Sequence, residues 1–148
     1  MKIRVQLTGG EGTAPGITYP GELTAEEEEN FSLFWHQPPE NSRDPQITFR
    51  LVYSGTGRPM TLKRTGDTGM HLAFLEGRRT KGILSTGHGD MYLETDTKLM
   101  RIIRGGQGTG EGPVSGILLH YNLYFEGQPP VRNELKIEIR LENQQRSE

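Results

Sequence analysis

Hydrophobic and polar residues alternate along much of the chain, with the period of two that β-strands show. Five segments carry this pattern strongly, and in each of them the apolar side chains fall on one face. Their apolar positions are Ile3, Val5 and Leu7; Ile47, Phe49, Leu51 and Tyr53; Met70, Leu72 and Phe74; Ile117, Leu119, Tyr121, Leu123 and Phe125; and Leu135, Ile137, Ile139 and Leu141. Leu119 lies in the longest of these sets, so we predict that it is a core residue.

Weaker alternation predicts further strands, and turn sequences rich in Gly and Pro separate the runs. These weaker runs are Phe31–Trp35, Met60–Arg64, Ile83–Thr86, Met91–Thr95 and Leu99–Ile103. Many short strands leave unpaired edges unless the sheet closes on itself. The sequence therefore predicts an all-β fold: a single antiparallel β-barrel of about 8–10 strands with little or no helix, spanning residues 1–148.

The segment 8–29 is rich in Gly and Glu and has little strand character. Thr24 and Glu27 are spaced as in a capping box, so Thr24 to Phe31 predicts one or two helical turns at most. Four consecutive Glu residues repel one another, so a solvated acidic strand edge or turn is the favoured interpretation and the helical turns are the alternative. The last residues, 143–148, predict a frayed polar tail.

Composition narrows the classes of function. The chain has 148 residues, which suits one domain, and its formal net charge of -2 argues against nucleic-acid binding. It contains no Cys, which excludes disulfides and thiolate chemistry and fits a reducing compartment. No apolar run reaches the roughly 18 residues that a membrane helix needs, and the N-terminus does not resemble a signal peptide. We therefore expect a cytoplasmic protein without a membrane anchor.

Motifs for catalysis and for metal binding are missing from the sequence. The four His residues are far apart, whereas metal sites often use closely spaced pairs. The chain has neither a phosphate-binding glycine motif nor a GxSxG nucleophile motif. We predict no catalytic residue, no metal and no cofactor, and the sequence does not indicate an enzyme.

Four polar residues share faces with apolar ones and are candidate ligand-binding residues. Arg64 continues the alternation of Met60 and Leu62, and a buried guanidinium is costly unless it is paired. It is either an anion anchor in a cavity or a strand-end residue whose head group reaches water or a carboxylate. Thr95 and Tyr121 are predicted to share that cavity. Thr86 follows Leu84 by two positions and is predicted to lie in it as well. The four candidate residues are thus Arg64, Thr86, Thr95 and Tyr121.

Several short motifs together resemble a known family. They are Leu62–Gly66, Met70–Phe74, Leu84–Thr86 with Gly89, Tyr92–Thr95 and Leu119–Tyr121, with MKIRVQL in the place of the first strand. On these motifs the chain is similar to the YwiB-like family of small uncharacterised bacterial proteins. The resemblance implies a calycin-like, or lipocalin-like, antiparallel β-barrel. It implies no known reaction or ligand, so it transfers no site residues.

Two interpretations of function follow, because a barrel of this size is either filled by side chains or holds one small ligand. In the first, the protein binds a small apolar or amphipathic molecule in the barrel. In the second, the barrel has a solid core and the protein is an interaction or structural module. An enzyme with residues gathered at the barrel mouth is a third hypothesis. The sequence does not set the oligomeric state.

Overall fold

The chain folds into a closed antiparallel barrel of ten strands. A computed structural model describes residues 1–9, 17–25, 30–39, 41–105 and 113–141. The strands are β1 (Lys2–Thr8), β2 (Thr18–Ala25), β3 (Phe31–Gln37), β4 (Ile47–Tyr53), β5 (Met60–Thr65), β6 (Gly69–Phe74), β7 (Arg79–Thr86), β8 (Gly89–Arg104), β9 (Val114–Phe125) and β10 (Val131–Leu141). None of the described residues is helical, so no described helix could span a membrane.

Every strand pairs antiparallel with its neighbours in the sequence, and β10 closes the barrel against β1. This is an up-and-down barrel, in which closure satisfies the backbone groups that an open sheet would leave at its edges. The all-β prediction and the predicted number of strands are confirmed. The strand that the sequence did not predict is β2.

The predicted helical turn at Thr24–Phe31 is wrong at both of its ends. Thr24 and Ala25 belong to β2, and Phe31 is the first residue of β3. In β2, Leu23 is buried beside the start of β1, where its amide donates to the carbonyl of Met1 (3.0 Å). Pairing with β1 and β3 thus overrides the local preference of this segment. Residues 26–29 and the predicted tail 143–148 lie outside the described residues.

Strand β8 joins two runs that the sequence predicted as separate strands. Thr97 pairs with Tyr121 and Leu99 pairs with His120, so Lys98 is an extra residue in a β-bulge. The bulge changes which residues face inward, from Leu93, Thr95 and Thr97 before it to Met100 and Ile102 after it. This change of parity interrupts the alternation and explains the apparent break in the sequence pattern.

The core consists mainly of alternating apolar residues that the sequence predicted, and Leu23 and Val114 join them from outside the predicted runs. Nineteen buried hydrophobic residues form one contiguous cluster, and they come from every strand except β7. Leu119 is fully buried, as predicted. The aromatic rings pack in pairs, with Trp35 stacked on Phe49 (centroids 5.1 Å apart) and Phe74 edge-on to Tyr121 (4.9 Å). Such pairs stabilise the interior beyond the area that they bury.

One glycine is required where β2 and β3 approach closely. A Cβ atom on Gly21 would lie 2.2 Å from the carbonyl oxygen of Phe34 and 3.1 Å from Cβ of Trp35. Any side chain at this position would therefore force the two strands apart. The absence of a side chain allows Trp35, the cross-strand partner of Gly21, to enter the interior.

Candidate ligand-binding sites

Arg64 is held in the turn that follows its own strand. Its guanidinium donates to the carbonyl oxygen of Thr68 and forms an ion pair with Asp67 (3.0 Å). The guanidinium carbon also lies 6.0 Å from the centroid of the Phe49 ring. Arg64 is thus at a strand end with its head group on a carboxylate, which is the second of the two arrangements that the sequence left open.

Thr86 is the last residue of β7, next to the hairpin turn that leads into β8, and it is exposed. Its hydroxyl donates to the carbonyl of Gly89 (3.0 Å) and accepts from the amide of His88 (3.1 Å). Because both contacts are local, Thr86 stabilises the turn and does not reach the interior. The structure therefore places Arg64 and Thr86 at separate turns, away from the buried Thr95.

Thr95 is completely buried on the inner face of β8, and so is its neighbour on that face, Thr97. The hydroxyl of each lacks a hydrogen-bond partner among the described residues. Thr80 shows the contrasting case, since its hydroxyl donates to the backbone carbonyl of Ala73. Burying a hydroxyl without a partner costs about 1–3 kcal/mol, so two such groups on one strand require an explanation.

Tyr121 faces inward beside these two threonines, as the cross-strand partner of Thr97. Burial raises the pKa of its phenol above the usual value. The phenol is therefore a neutral hydrogen-bonding group at neutral pH. The structure thus brings together two of the four predicted residues, Thr95 and Tyr121.

A third unpartnered polar atom, Nε1 of the buried Trp35, belongs to the opposite wall of the barrel. In the ring of ten strands, β3 lies five strands from β8 in either direction. The sequence pattern indicated Trp35 only as part of the run Phe31–Trp35, and it did not indicate Thr97. Neither residue belongs to a sequence motif that indicates binding, because inward-facing Thr and Trp residues are common in β-strands.

Trp35 also lies close to the level of Thr97. Cross-strand partners can be followed from Trp35 around the ring through β4, β5, β6 and β7, and this path reaches β8 at Met91. The path in the other direction, through β2, β1, β10 and β9, reaches the other end of β8 near Gly105. Because barrel strands are tilted, one path rises along the barrel axis and the other descends by the same amount. The level of Trp35 on β8 is therefore midway between their ends, at the bulge residue Lys98 and next to Thr97. We call Trp35, Thr95, Thr97 and Tyr121 the interior polar cluster.

A separate cleft of about 480 Å³ lies on the outer face of β7, β8 and β9. We call it the outer cleft. The side chains at its walls are Arg79, Lys81, Tyr92, Glu94, Tyr124 and Glu126, and the strands themselves contribute Gly82, Leu93 and Phe125. Arg79 spans this face: its Nε contacts Glu94 (3.0 Å), and its guanidinium carbon lies 3.6 Å from the centroid of the Tyr124 ring. The volume lies within the range of about 300–1,000 Å³ that small-molecule sites occupy.

A further cavity of about 310 Å³ lies at one end of the barrel, with Met1, Leu23, Phe31 and Arg104 among its lining residues. The guanidinium of Arg104 lies 5.9 Å from the Phe31 ring centroid there. In the part of the chain that the structure describes, no three His, Asp or Glu side chains are grouped as metal ligands.

Comparison with known proteins identifies the family. The fold is similar to that of the ywiB protein from Bacillus subtilis, with a TM-score of 0.65 over 94% of this chain and 89% of that one, at 12% sequence identity. That likeness concerns the fold alone. No curated protein sequence matches the chain. The model of the domain of unknown function DUF1934 matches residues 2–137. Because this match covers most of the barrel, the chain belongs to the DUF1934 family.

Proposed function

We propose that the protein binds a small amphipathic molecule inside its barrel and recognises it through the interior polar cluster. The observation that carries this proposal is the set of three buried polar atoms without partners, Nε1 of Trp35 and the hydroxyls of Thr95 and Thr97. Trp35 lies on the wall opposite the two threonines, close to the level of Thr97. Polar groups of a ligand placed between those walls would satisfy these atoms and remove the energetic penalty of their burial.

The chemistry of the cluster selects an uncharged polar group. Indole N–H is a donor, hydroxyls both donate and accept, and the phenol of Tyr121 is neutral. An anion there would lose its hydration without gaining an opposite charge, which is costly. The surrounding walls are apolar and aromatic. The ligand is therefore an apolar molecule that carries a carbonyl, ester or hydroxyl group, and Arg64 is outside its site.

The width of the barrel supports an interior site. Barrel diameter grows with strand number, and eight strands already enclose either a filled core or one small ligand. Ten strands enclose more space. The up-and-down order of the strands is the one that lipocalins use, and on this ground we assign the barrel to the calycin-like class. We also propose that the protein is located in the cytoplasm.

The competing function is an interaction or structural module with a solid core. Its specific support is the continuity of the nineteen buried hydrophobic residues, among them Trp35, Phe31 and Phe74. In that case the three polar atoms would be tolerated defects of the core, and the working surface would be outside the barrel.

Titration with three eight-carbon probes tests the proposal: 1-octanol, 2-octanone and octanoate. Calorimetry should detect binding of the alcohol and the ketone, and much weaker binding of the anion. Thr97→Val keeps the shape of the side chain and removes its hydroxyl. We expect it to weaken binding by about twofold to tenfold, the value of one neutral hydrogen bond.

Thr61→Val, on the outer face of β5, is the matched control and should leave affinity unchanged. Native mass spectrometry of the protein purified from its own host should show a retained small molecule. A bare protein mass, together with no binding of any of the three probes, would contradict the interior site and favour the solid core.

A further inference from the structure

The outer cleft contains a preorganised cation whose hydrogen-bonding capacity is only partly used. Arg79 rests on the ring of Tyr124 and gives its Nε to Glu94, and its side chain is still half exposed. Among the described residues, none takes its two terminal nitrogens. A guanidinium fixed in this way presents a planar pair of donors, which matches a carboxylate or a phosphate.

Lys81 adds a second positive charge at the same end of the cleft. Arg79 and Lys81 alternate on the outer face of β7, so their side chains start about 7 Å apart. Lys81 is exposed and forms no ion pair with a described residue. Because Arg79 and Glu94 neutralise each other, the charge of Lys81 makes this side of the cleft net positive, which suits an anionic group.

An aromatic surface lies one strand away. Tyr92 is 72% exposed, which is unusual for so large an apolar ring. It is diagonal to Lys81, because Lys81 pairs with Glu94 and Tyr92 is two residues along the same strand. Diagonal neighbours in a sheet are about 7–8 Å apart. A flat ring stacked on Tyr92 therefore lies within reach of an anion held by Arg79 and Lys81.

The third wall carries a hydrogen-bond acceptor. Glu126 lies at the end of β9, on the side of Tyr92 opposite to β7, and its carboxylate accepts hydrogen bonds. It repels an anion from that side and attracts a donor such as a ring amine. The chemistry of the cleft thus changes from one side to the other, with cations on β7, an aromatic ring on β8 and a carboxylate at the end of β9.

We propose that the outer cleft is a second binding site, independent of the barrel interior, for a flat heteroaromatic ring that carries a hydrogen-bond donor and is joined to an anionic group. The anion lies between Arg79 and Lys81, the ring stacks on Tyr92 and the donor faces Glu126. An amino-substituted mononucleotide has this chemistry with a phosphate, and an indole acid has it with a carboxylate.

Calorimetric titration of the whole protein with AMP, indole-3-acetate, adenosine and inorganic phosphate tests the site. AMP, indole-3-acetate or both should bind. Adenosine and phosphate, each with only part of the chemistry, should bind about tenfold more weakly, since stacking and a charge-assisted hydrogen bond are each worth about that factor. Lys81→Gln and Tyr92→Ala should each weaken binding about tenfold or more. Tyr92→Phe keeps the ring and should bind like the wild type.

Lys63→Gln removes an exposed charge from the outer face of β5 and is the matched control. It should leave affinity unchanged. If it weakens binding as much as Lys81→Gln does, the attraction is general electrostatics and the site is wrong. Failure of both AMP and indole-3-acetate to bind at millimolar concentration would also overturn the proposal. An equal affinity for inorganic phosphate alone would indicate a simple anion site and contradict the role of Tyr92.

Discussion

A charged residue at an inward-facing strand position does not have to enter the core, as Arg64 shows. The alternation of β5 directs it inward, but the strand ends one residue later, at Thr65. Its long side chain can then turn back to the carboxylate of Asp67 and the carbonyl of Thr68. This arrangement avoids burial of an unpaired charge and leaves the guanidinium carbon 6.0 Å from the centroid of the Phe49 ring.

The pair makes a prediction about pH. The hydrogen bond from Arg64 holds the pKa of Asp67 below its usual value. A carboxyl whose pKa is lowered on folding stabilises the native state above its unfolded pKa, and that contribution is lost as the pH falls through the folded pKa. Arg64→Gln should therefore raise the pKa of Asp67 toward its ordinary value in an NMR titration and weaken the acid dependence of stability. An unchanged Asp67 titration would mean that the ion pair does not form in solution.

At the scale of elements, the sequence predicted strands well where one face is apolar and poorly where it is not. β1, β4, β6, β9 and β10 were evident from their alternation. β2 was not, since Gly21 interrupts the inward-facing pair Tyr19 and Leu23. Only the close approach to β3 at Trp35 explains this glycine. In β8 the bulge at Lys98 changes which residues face inward. A single strand of 16 residues therefore gave the sequence pattern of two separate strands.

The bulge predicts an unequal response to two single deletions in β8. Deleting Lys98 removes the extra residue, so Thr97 and Met100 both still face inward and the barrel should fold with a modest loss of stability. Deleting Asp96 leaves Lys98 at the inward position that Thr97 now holds. A buried lysine without a partner is strongly destabilising. Denaturant unfolding should give a clearly lower midpoint for the Asp96 deletion, and equal midpoints would show that the strand does not depend on this register.

At the scale of the whole molecule, barrel closure and strand tilt determine which residues of the proposed site face one another. The alternation of apolar and polar residues within a strand contains no information on either. The sequence indicated that Thr95 and Tyr121 face inward, and they do. It could not bring Trp35 opposite Thr97, because that meeting depends on the register of every strand around the ring. The outer cleft was equally hidden: its residues are separated by turns in the sequence and meet only when β7, β8 and β9 pair.

The single tryptophan of the chain makes the two proposed sites separable in one experiment. Trp35 is buried, and its Nε1–H has no hydrogen-bond partner among the described residues. A ligand in the barrel would accept that hydrogen bond, so 2-octanone should shift the indole Nε1–H resonance of Trp35 downfield. AMP in the outer cleft should leave this resonance in place and shift the amides of Tyr92, Glu94 and Tyr124. The two shifts should also be independent when both ligands are present. An indole resonance that responds to AMP would show that the interior and the cleft are one coupled site, whereas no response to 2-octanone would leave the interior as core.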